Sequence, residues 1–493
     1  MSMSITNRTR GLVPLAVAGI LAGALAPLLP PAGLLVVVAV LGLGLATALI
    51  RFRAGAGEQR AWHPVLMLLT GAAVITVSWN GFRSGGTSPP DLLLLAGLFG
   101  VGYCWFQDTI RVPIPGWLVG AAVILLVSQL LNQFFFVPTP PQDPPPSFTP
   151  PGPALLTLAR FELAFLIVPI LIGAVASSWK RVNLIANLWL LSATISAAIG
   201  TIDGFTGAGL GASFTGVDVG GRAAGLAIHP NTFALTCSMA MPLALLRAAQ
   251  LRGWGRAAGI AASGLLATGI LVSGSRVGLV SLVLAVGLTA MLIPKLRSRI
   301  VVVGLTGVVL TVLIAPQGNP LTEGFDRLAG GGSASQATGQ RSDQFHESLT
   351  IALHHPVTGV GFTVVADAHT LPLQFWETAG FLGVAALILY ATGVFRTGLR
   401  LYRDRRLPRG SPALAGALTI SFAVWLIAGL LENEIADRYI YVPVGLLLGL
   451  GLAASAGTRG PDRSEPAPTP RPAEPPAPVP QRVERVPLAG ARG

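Results

Sequence analysis

The chain has 493 residues, 52% of them hydrophobic and only 11% charged, with a formal net charge of +12. Soluble domains carry about a quarter charged residues, so this composition excludes an ordinary soluble enzyme and points to lipid as the solvent. The basic surplus reads as the excess of Arg and Lys that membrane proteins place in cytoplasmic loops, and no nucleic-acid partner is expected.

Continuous apolar runs of roughly 20 residues, the length a membrane-crossing helix needs, recur along the chain. They do not alternate in polarity, which excludes a β-barrel. The expected fold class is all-α, a polytopic integral membrane protein of about fourteen transmembrane helices. In chain order the predicted spans are 11–29, 33–50, 63–79, 91–106, 113–136, 154–178, 183–202, 231–246, 257–273, 277–294, 300–315, 373–395, 413–431 and 439–456. Arg8 and Arg10 ahead of Ala24-Leu25-Ala26 resemble a signal peptide. A second span follows almost at once, so the first run is read as a retained span. Residues 1–456 are expected to form the transmembrane domain. Residues 457–493, rich in Pro, Ala and Arg, are expected to be a disordered cytoplasmic tail.

Counting Lys and Arg on alternate sides orients these spans. One side holds twenty, with six more in the tail. The other holds seven: Arg83, Arg160, Arg222, Arg276, Arg327, Arg341 and Arg438. Both termini are therefore expected to be cytoplasmic, in a bacterial inner membrane, with the candidate active site on the external, periplasmic face. Two external loops stand out. Residues 137–153 contain Pro144-Pro145-Pro146 and read as a stiff connector. Residues 316–372 begin flexibly around Gly330-Gly331-Gly332 and become helix-compatible from Ser342 to His354. Phe345, Leu349 and Ala352 share one face there, a pattern suited to a membrane-surface helix. His354-His355 before Pro356 reads as a helix stop.

Arginines on the external side run against the topology signal and so need another reason. Arg222 lies in Gly220-Gly221-Arg222-Ala223-Ala224-Gly225, ahead of His229-Pro230-Asn231 at the mouth of a span. Arg276 ends Ser273-Gly274-Ser275-Arg276, a tight turn between two spans, and Arg341 opens the helical part of the long loop. Headgroup binding or a local ion pair would explain any one of them alone. Three beside Gly, Ser and Asn turns favour an anion site, because the guanidinium fork makes paired charge-assisted hydrogen bonds to phosphate. His369 lies just before a span, and imidazoles as a class exchange protons near neutrality. Glu377 follows two turns on, placed to orient an imidazole or hold a sugar hydroxyl, although a solvated helix end explains it as well. Gly207-Ala208-Gly209-Leu210-Gly211-Ala212 matches a loose dinucleotide fingerprint without the strand that fingerprint requires. Cys104 and Cys237 lie in apolar runs and build no disulfide framework or metal site. No Walker sequence, zinc spacing or external acidic pair close in sequence points to a metal or other cofactor, and none is expected.

The ordered set of Gly221-Arg222-x-x-Gly225 with His229-Pro230-Asn231, Ser273-Gly274-Ser275-Arg276, Gly359-Val360-Gly361-Phe362, and His369 with Glu377-x-x-Gly380-x-x-Gly383 resembles the O-antigen ligase and polymerase superfamily. The resemblance covers roughly residues 183–395. It implies a membrane-embedded glycosyltransferase of the C-type fold, metal-independent and inverting. Such an enzyme moves glycan from an undecaprenyl-diphosphate carrier to an acceptor hydroxyl in cell-surface polysaccharide assembly. By the same resemblance Arg222 and Arg276 correspond to diphosphate-binding arginines, Arg341 to a further arginine of the long-loop helix, and His369 to the general base. Ser275, His229 and Asn231 join Glu377 as supporting candidates. The expected partners are the lipid-linked glycan donor, a glycan, lipid or protein acceptor, and membrane lipids. Two alternatives stay open: a Wzy-type polysaccharide polymerase, and a lipid-linked glycan transporter or flippase, for which Arg160 and Glu162 are the ionisable residues inside a span.

Overall fold

In a computed structural model of the chain, the described residues are 58–82, 88–134, 154–216, 222–292, 334–362, 368–432, 434–435 and 437–458. All regular structure among them is helical. In order the helices are α1 (Glu58–Thr76), α2 (Pro89–Phe106), α3 (Gly116–Phe134), α4 (Ala154–Glu162), α5 (Val168–Val175), α6 (Trp179–Thr206), α7 (Leu210–Thr215), α8 (Pro230–Gln250), α9 (Gly253–Val272), α10 (Arg276–Leu292), α11 (Ala334–His354), α12 (Leu371–Arg403), α13 (Ser411–Ala428) and α14 (Val442–Thr458). A π-helical turn, Leu163–Ile167, joins α4 to α5, and a 3-10 turn, Arg438–Tyr441, leads into α14. Eight of the described helical segments are long and apolar enough to cross a membrane, and three shorter apolar helices accompany them. The chain is thus an all-helical, polytopic membrane protein. The predicted spans 11–29, 33–50 and 300–315, the connector 137–153 and the tail beyond 458 lie outside the described residues.

Local chemistry explains where the helices start. Ser178 caps α6 by accepting from the Arg181 amide at 3.4 Å, and the Asp91 carboxylate accepts from the Ser88 amide at 2.8 Å ahead of α2. His229 caps α8 with its ring nitrogen, 3.2 Å from the Asn231 amide, and Ser275 caps α10 by accepting from the Gly278 amide at 3.1 Å. Side-chain acceptors at these positions satisfy amides that have no partner inside the helix. Pro230 and Pro372 follow as first-turn prolines, where a missing amide costs nothing.

Helix α8 is the axis of the bundle, with 83% of its apolar window buried. It packs against α6, α9, α10 and α13. Small residues make this possible, as lipid tails give helices no hydrophobic reason to associate and close backbone approach must supply the contact. At Gly278 of α10 an added Cβ would sit 2.4 Å from the Ala234 methyl of α8. Outer helices instead expose Phe106, Val283 and Met291, as lipid-facing surfaces do.

Helix α12 is broken near its start. Gly380 adopts φ 63° and ψ −158°, a conformation open in practice only to glycine. The break frees carbonyls that the segment after α11 collects. The Val360 amide donates to Glu377 O at 2.9 Å, Gly361 to Thr378 O at 2.8 Å, and Phe381 to Pro356 O at 2.8 Å. Polar residues of α3 pin the same strap: the Phe362 amide donates to Gln129 Oε1 at 2.7 Å, and Asn132 donates to Gly359 O. Gly359 and Gly361 both have positive φ. The glycines of the Gly-x-Gly-Phe segment are therefore backbone requirements of a strap that fixes the first turns of α12.

The long-loop helix starts earlier than the predicted Ser342, at Ala334, and ends at His354 as expected. Its Leu349 and Ala352 pack with Ala368, Leu373 and Trp376, so that stripe faces α12, while Phe345 remains exposed. The dinucleotide-like glycine segment has a different use. Asp203 at the end of α6 accepts from the Leu210 and Gly211 amides at 2.5 and 2.6 Å, so its carboxylate fills the start of α7. Cys104 and Cys237 are buried free thiols.

Candidate functional site

The turn before α8, the α9–α10 turn, α11, the start of α12 and the segment after α13 meet at one end of the bundle. Arg222 reaches across the α9–α10 turn, its Nε donating to Ser273 O at 2.9 Å. Its Nη2 donates to Asn231 Oδ1 at 3.1 Å. The amide of Asn231 in turn donates through Nδ2 to Glu432 Oε2 at 2.8 Å. Arg341 Nη2 stands 3.7 Å from the same oxygen, and His369 Nδ1 stands 3.7 Å from Glu432 Oε1. Arg222, Asn231, Arg341 and His369 are thereby brought together, although up to 147 residues separate Arg222 from His369 in sequence. Arg276 is half-buried at the first position of α10, directly after its cap Ser275 and three residues beyond the Ser273 carbonyl that holds Arg222.

His369 is one of only two non-glycine residues with positive φ among the described residues, at 48°; the other is Asp108. Such a backbone costs on the order of 1 kcal/mol or more and persists where the surroundings enforce it. On either side of it the Ala368 amide donates to Gln374 Oε1 at 3.3 Å and the Leu371 amide donates to the Gly429 carbonyl. Glu377 is fully buried on the short first segment of α12, and its carbonyl belongs to the strap. The carboxylate that the structure sets beside His369 is Glu432.

Sequence reasoning did not single out Glu432. Glu432, Glu434 and Asp437 fall within six residues between α13 and the 3-10 turn. That cluster on a stretch otherwise poor in charge was the available signal. Glu434 Oε1 accepts from the Thr232 hydroxyl, and Asp437 Oδ2 accepts from Asn80 Nδ2 at 2.8 Å. Among the described residues, no group of three His, Cys, Asp or Glu has the arrangement of a metal site.

The electrostatics sort these groups. Burial pushes the Glu432 carboxyl up, but the contact with His369 and the charge of Arg341, foremost among its neighbours, outweigh it and hold the group below the usual carboxylate range. Burial holds Glu434 well above that range, reinforced by the charge and hydrogen bond of Asp437 and by the charge of Glu432. His229 is pushed down by burial first and then by Arg222, with Glu432 opposing. Its Nδ1 must accept from the Asn231 amide, which a neutral ring does and an imidazolium does not. His229 is therefore committed as a helix cap. What the arrangement offers is one imidazole against one ionised carboxylate, flanked by guanidinium groups, at the N-terminus of α8, where the helix dipole favours anions.

Glu162, which with Arg160 carried the transporter alternative, lies just before the π-helical turn. Its carboxyl oxygens are buried without a hydrogen-bond partner among the described residues. It stands apart from the network around Glu432.

No curated protein matches the chain. Residues 261–388, about a quarter of the chain, match the family model of O-antigen ligase. That stretch runs from α9 through the Ser273–Arg276 turn, α11, the strap and His369 to beyond the break in α12. The match takes in Arg276, Arg341, His369 and Glu377, so this stretch of the chain is similar to the O-antigen ligase family.

Proposed function

We propose that the protein is an O-antigen ligase-like glycosyltransferase that moves a glycan from a polyprenyl diphosphate carrier, undecaprenyl diphosphate, to an acceptor hydroxyl. The site lies on the external face of the inner membrane. The observation that carries this reading is the meeting of Arg222, Arg341 and His369 around Glu432, close to Arg276. In the proposed step the acceptor oxygen attacks the anomeric carbon of the donor sugar, and its proton passes to the His369 ring. The bond between that carbon and the diphosphate oxygen breaks, and the diphosphate leaves with the electron pair. A single in-line displacement of this kind inverts the anomeric centre. The charge that builds on the leaving group is met by Arg222, Arg276 and Arg341, through the strong paired hydrogen bonds guanidinium groups make to phosphates. Glu432 balances the imidazolium as it forms. Ser275 and Asn231 hold the arginine-bearing turns, and His229 fixes the start of α8.

The test is glycan transfer by purified protein from a lipid-diphosphate donor. His369→Ala and Arg276→Ala are expected to abolish transfer while the protein still inserts and folds. Normal transfer by His369→Ala would overturn the assignment of the base. Product length decides the acceptor: one-step capping of a non-carrier acceptor marks a ligase, whereas a ladder grown from single repeats marks a polymerase.

A further inference from the structure

The Glu432 carboxylate is shared in an unusual way. Oε2 accepts from Asn231 at 2.8 Å and faces Arg341 at 3.7 Å, while Oε1 faces His369 at 3.7 Å. Both partners stand at the outer limit of ion-pair distance, so one carboxylate serves two side chains at 3.7 Å each. It does so at the N-terminus of α8, next to the asparagine that holds Arg222, which is where the proposed donor would place an anion. The partners differ in exposure. The Arg341 side chain is 37% exposed and Glu432 only 9%, so Arg341 is the member that an incoming ligand meets.

We infer that Glu432 is an internal stand-in for the donor diphosphate. Glu432 pairs with Arg341 until the arriving diphosphate draws Arg341 away, which leaves Glu432 to Asn231 and His369. This rests on the donor reading above. Its consequence is an order of events, because the pairing of the base with its carboxylate is completed by the donor before the acceptor is used. The Asn231 contact keeps Glu432 in place during the exchange, since it engages Oε2 through a neutral amide that the diphosphate does not displace by charge.

The exchange makes a prediction that plain repulsion between Glu432 and the donor does not. Removing the carboxylate charge frees Arg341 beforehand, so Glu432→Gln should bind undecaprenyl diphosphate in detergent micelles about three- to five-fold more tightly, the worth of a partly exposed ion pair. With Arg341→Met already present there is nothing to free, and adding Glu432→Gln should then change affinity by less than about 1.5-fold. An equal gain in both backgrounds overturns the exchange in favour of repulsion, and no gain from Glu432→Gln in the protein that keeps Arg341 overturns it outright. Should the glutamine variant fail to fold, Glu432→Asp draws the carboxylate back from Arg341 and should show a smaller gain with the same dependence on Arg341. The donor reading fails differently. If the unaltered protein does not bind the probe, both ideas fall; if it binds and Arg276→Ala loses binding while Glu432→Gln is neutral, only the stand-in falls.

Discussion

Both ends of α8 hold a buried or half-buried arginine with asparagine, and they have been put to different uses. At the first end, Arg222 binds Asn231, and the asparagine passes the contact to Glu432, beside which stand Arg341 and His369. Sixteen residues along, about 24 Å at helical rise, Arg247 donates to Asn187 Oδ1 at 2.9 Å and to Asn183 Oδ1 at 2.8 Å. There the two asparagines lie on α6, and the arginine is only 7% exposed. The second arrangement clamps two helices with neutral acceptors. Only the first adds an ionised carboxylate, an imidazole and a further arginine open to solvent. A buried arginine is therefore not in itself a sign of chemistry; its second layer of partners makes it one.

Removing an asparagine from each end tests that difference most directly. Asn231→Ala breaks the link between Arg222 and Glu432 and should lower the rate of transfer by roughly a hundredfold, the order of loss when a group that orients a reacting pair is removed. Asn187→Ala should leave the rate per folded molecule unchanged and show itself only as a lower thermal midpoint. Equal rates for the two variants would mean that the ends of α8 do not differ as described.

The spans of this fold were legible in the sequence because lipid demands long uninterrupted apolar runs. The predicted spans 231–246 and 277–294 match α8 and α10 to within a few residues. The break in α12 was less so, because Gly380 resembles any small residue of a membrane helix until the strap carbonyls are seen against it. At the site, counting charges by side found Arg222, Arg276 and Arg341, since a basic residue on the wrong side stands out. The same count hid Glu432, because acidic residues carry little topological weight and only a pairing across 201 residues, with Asn231, reveals what this one does. The count also filed Arg247 with the cytoplasmic topology signals, whereas it is a buried clamp whose partners sit 60 and 64 residues away.

Arg247→Met should accordingly cost stability and little else. It removes two hydrogen bonds from a charged donor and strands two amide oxygens, a loss of about 2 kcal/mol once the relief of a buried charge is set against it. Thermal melting of the detergent-solubilised protein reads the change, and transfer by the folded fraction should equal that of the unaltered chain. A large fall in specific activity would show that this end of α8 also takes part in the reaction.

The last expected difference lies in pH, and it belongs to the first end. Glu434, held to α8 through Thr232, keeps its proton well above the ordinary carboxylate range because of burial and of Asp437 beside it. Below the unfolded value, near 4.3, the group is protonated in both states and costs nothing. As pH rises above that value the unfolded chain gives up the proton and the folded chain retains it, so stability falls by up to about 1.4 kcal/mol per unit until the folded group also ionises. Glu432 acts in the opposite sense and in a lower window. Its depressed value contributes stability that is present above the unfolded value and is lost as pH falls through the folded one. Glu434→Gln can still accept from Thr232 and donate to Asp437 but does not titrate. Its melting temperature should therefore lose the decline on the alkaline side of pH 5 while keeping the acid limb set by Glu432. Arg247→Met should keep both limbs. An unchanged alkaline decline in Glu434→Gln would move the titrating group away from α8 and remove pH from the differences between its two ends.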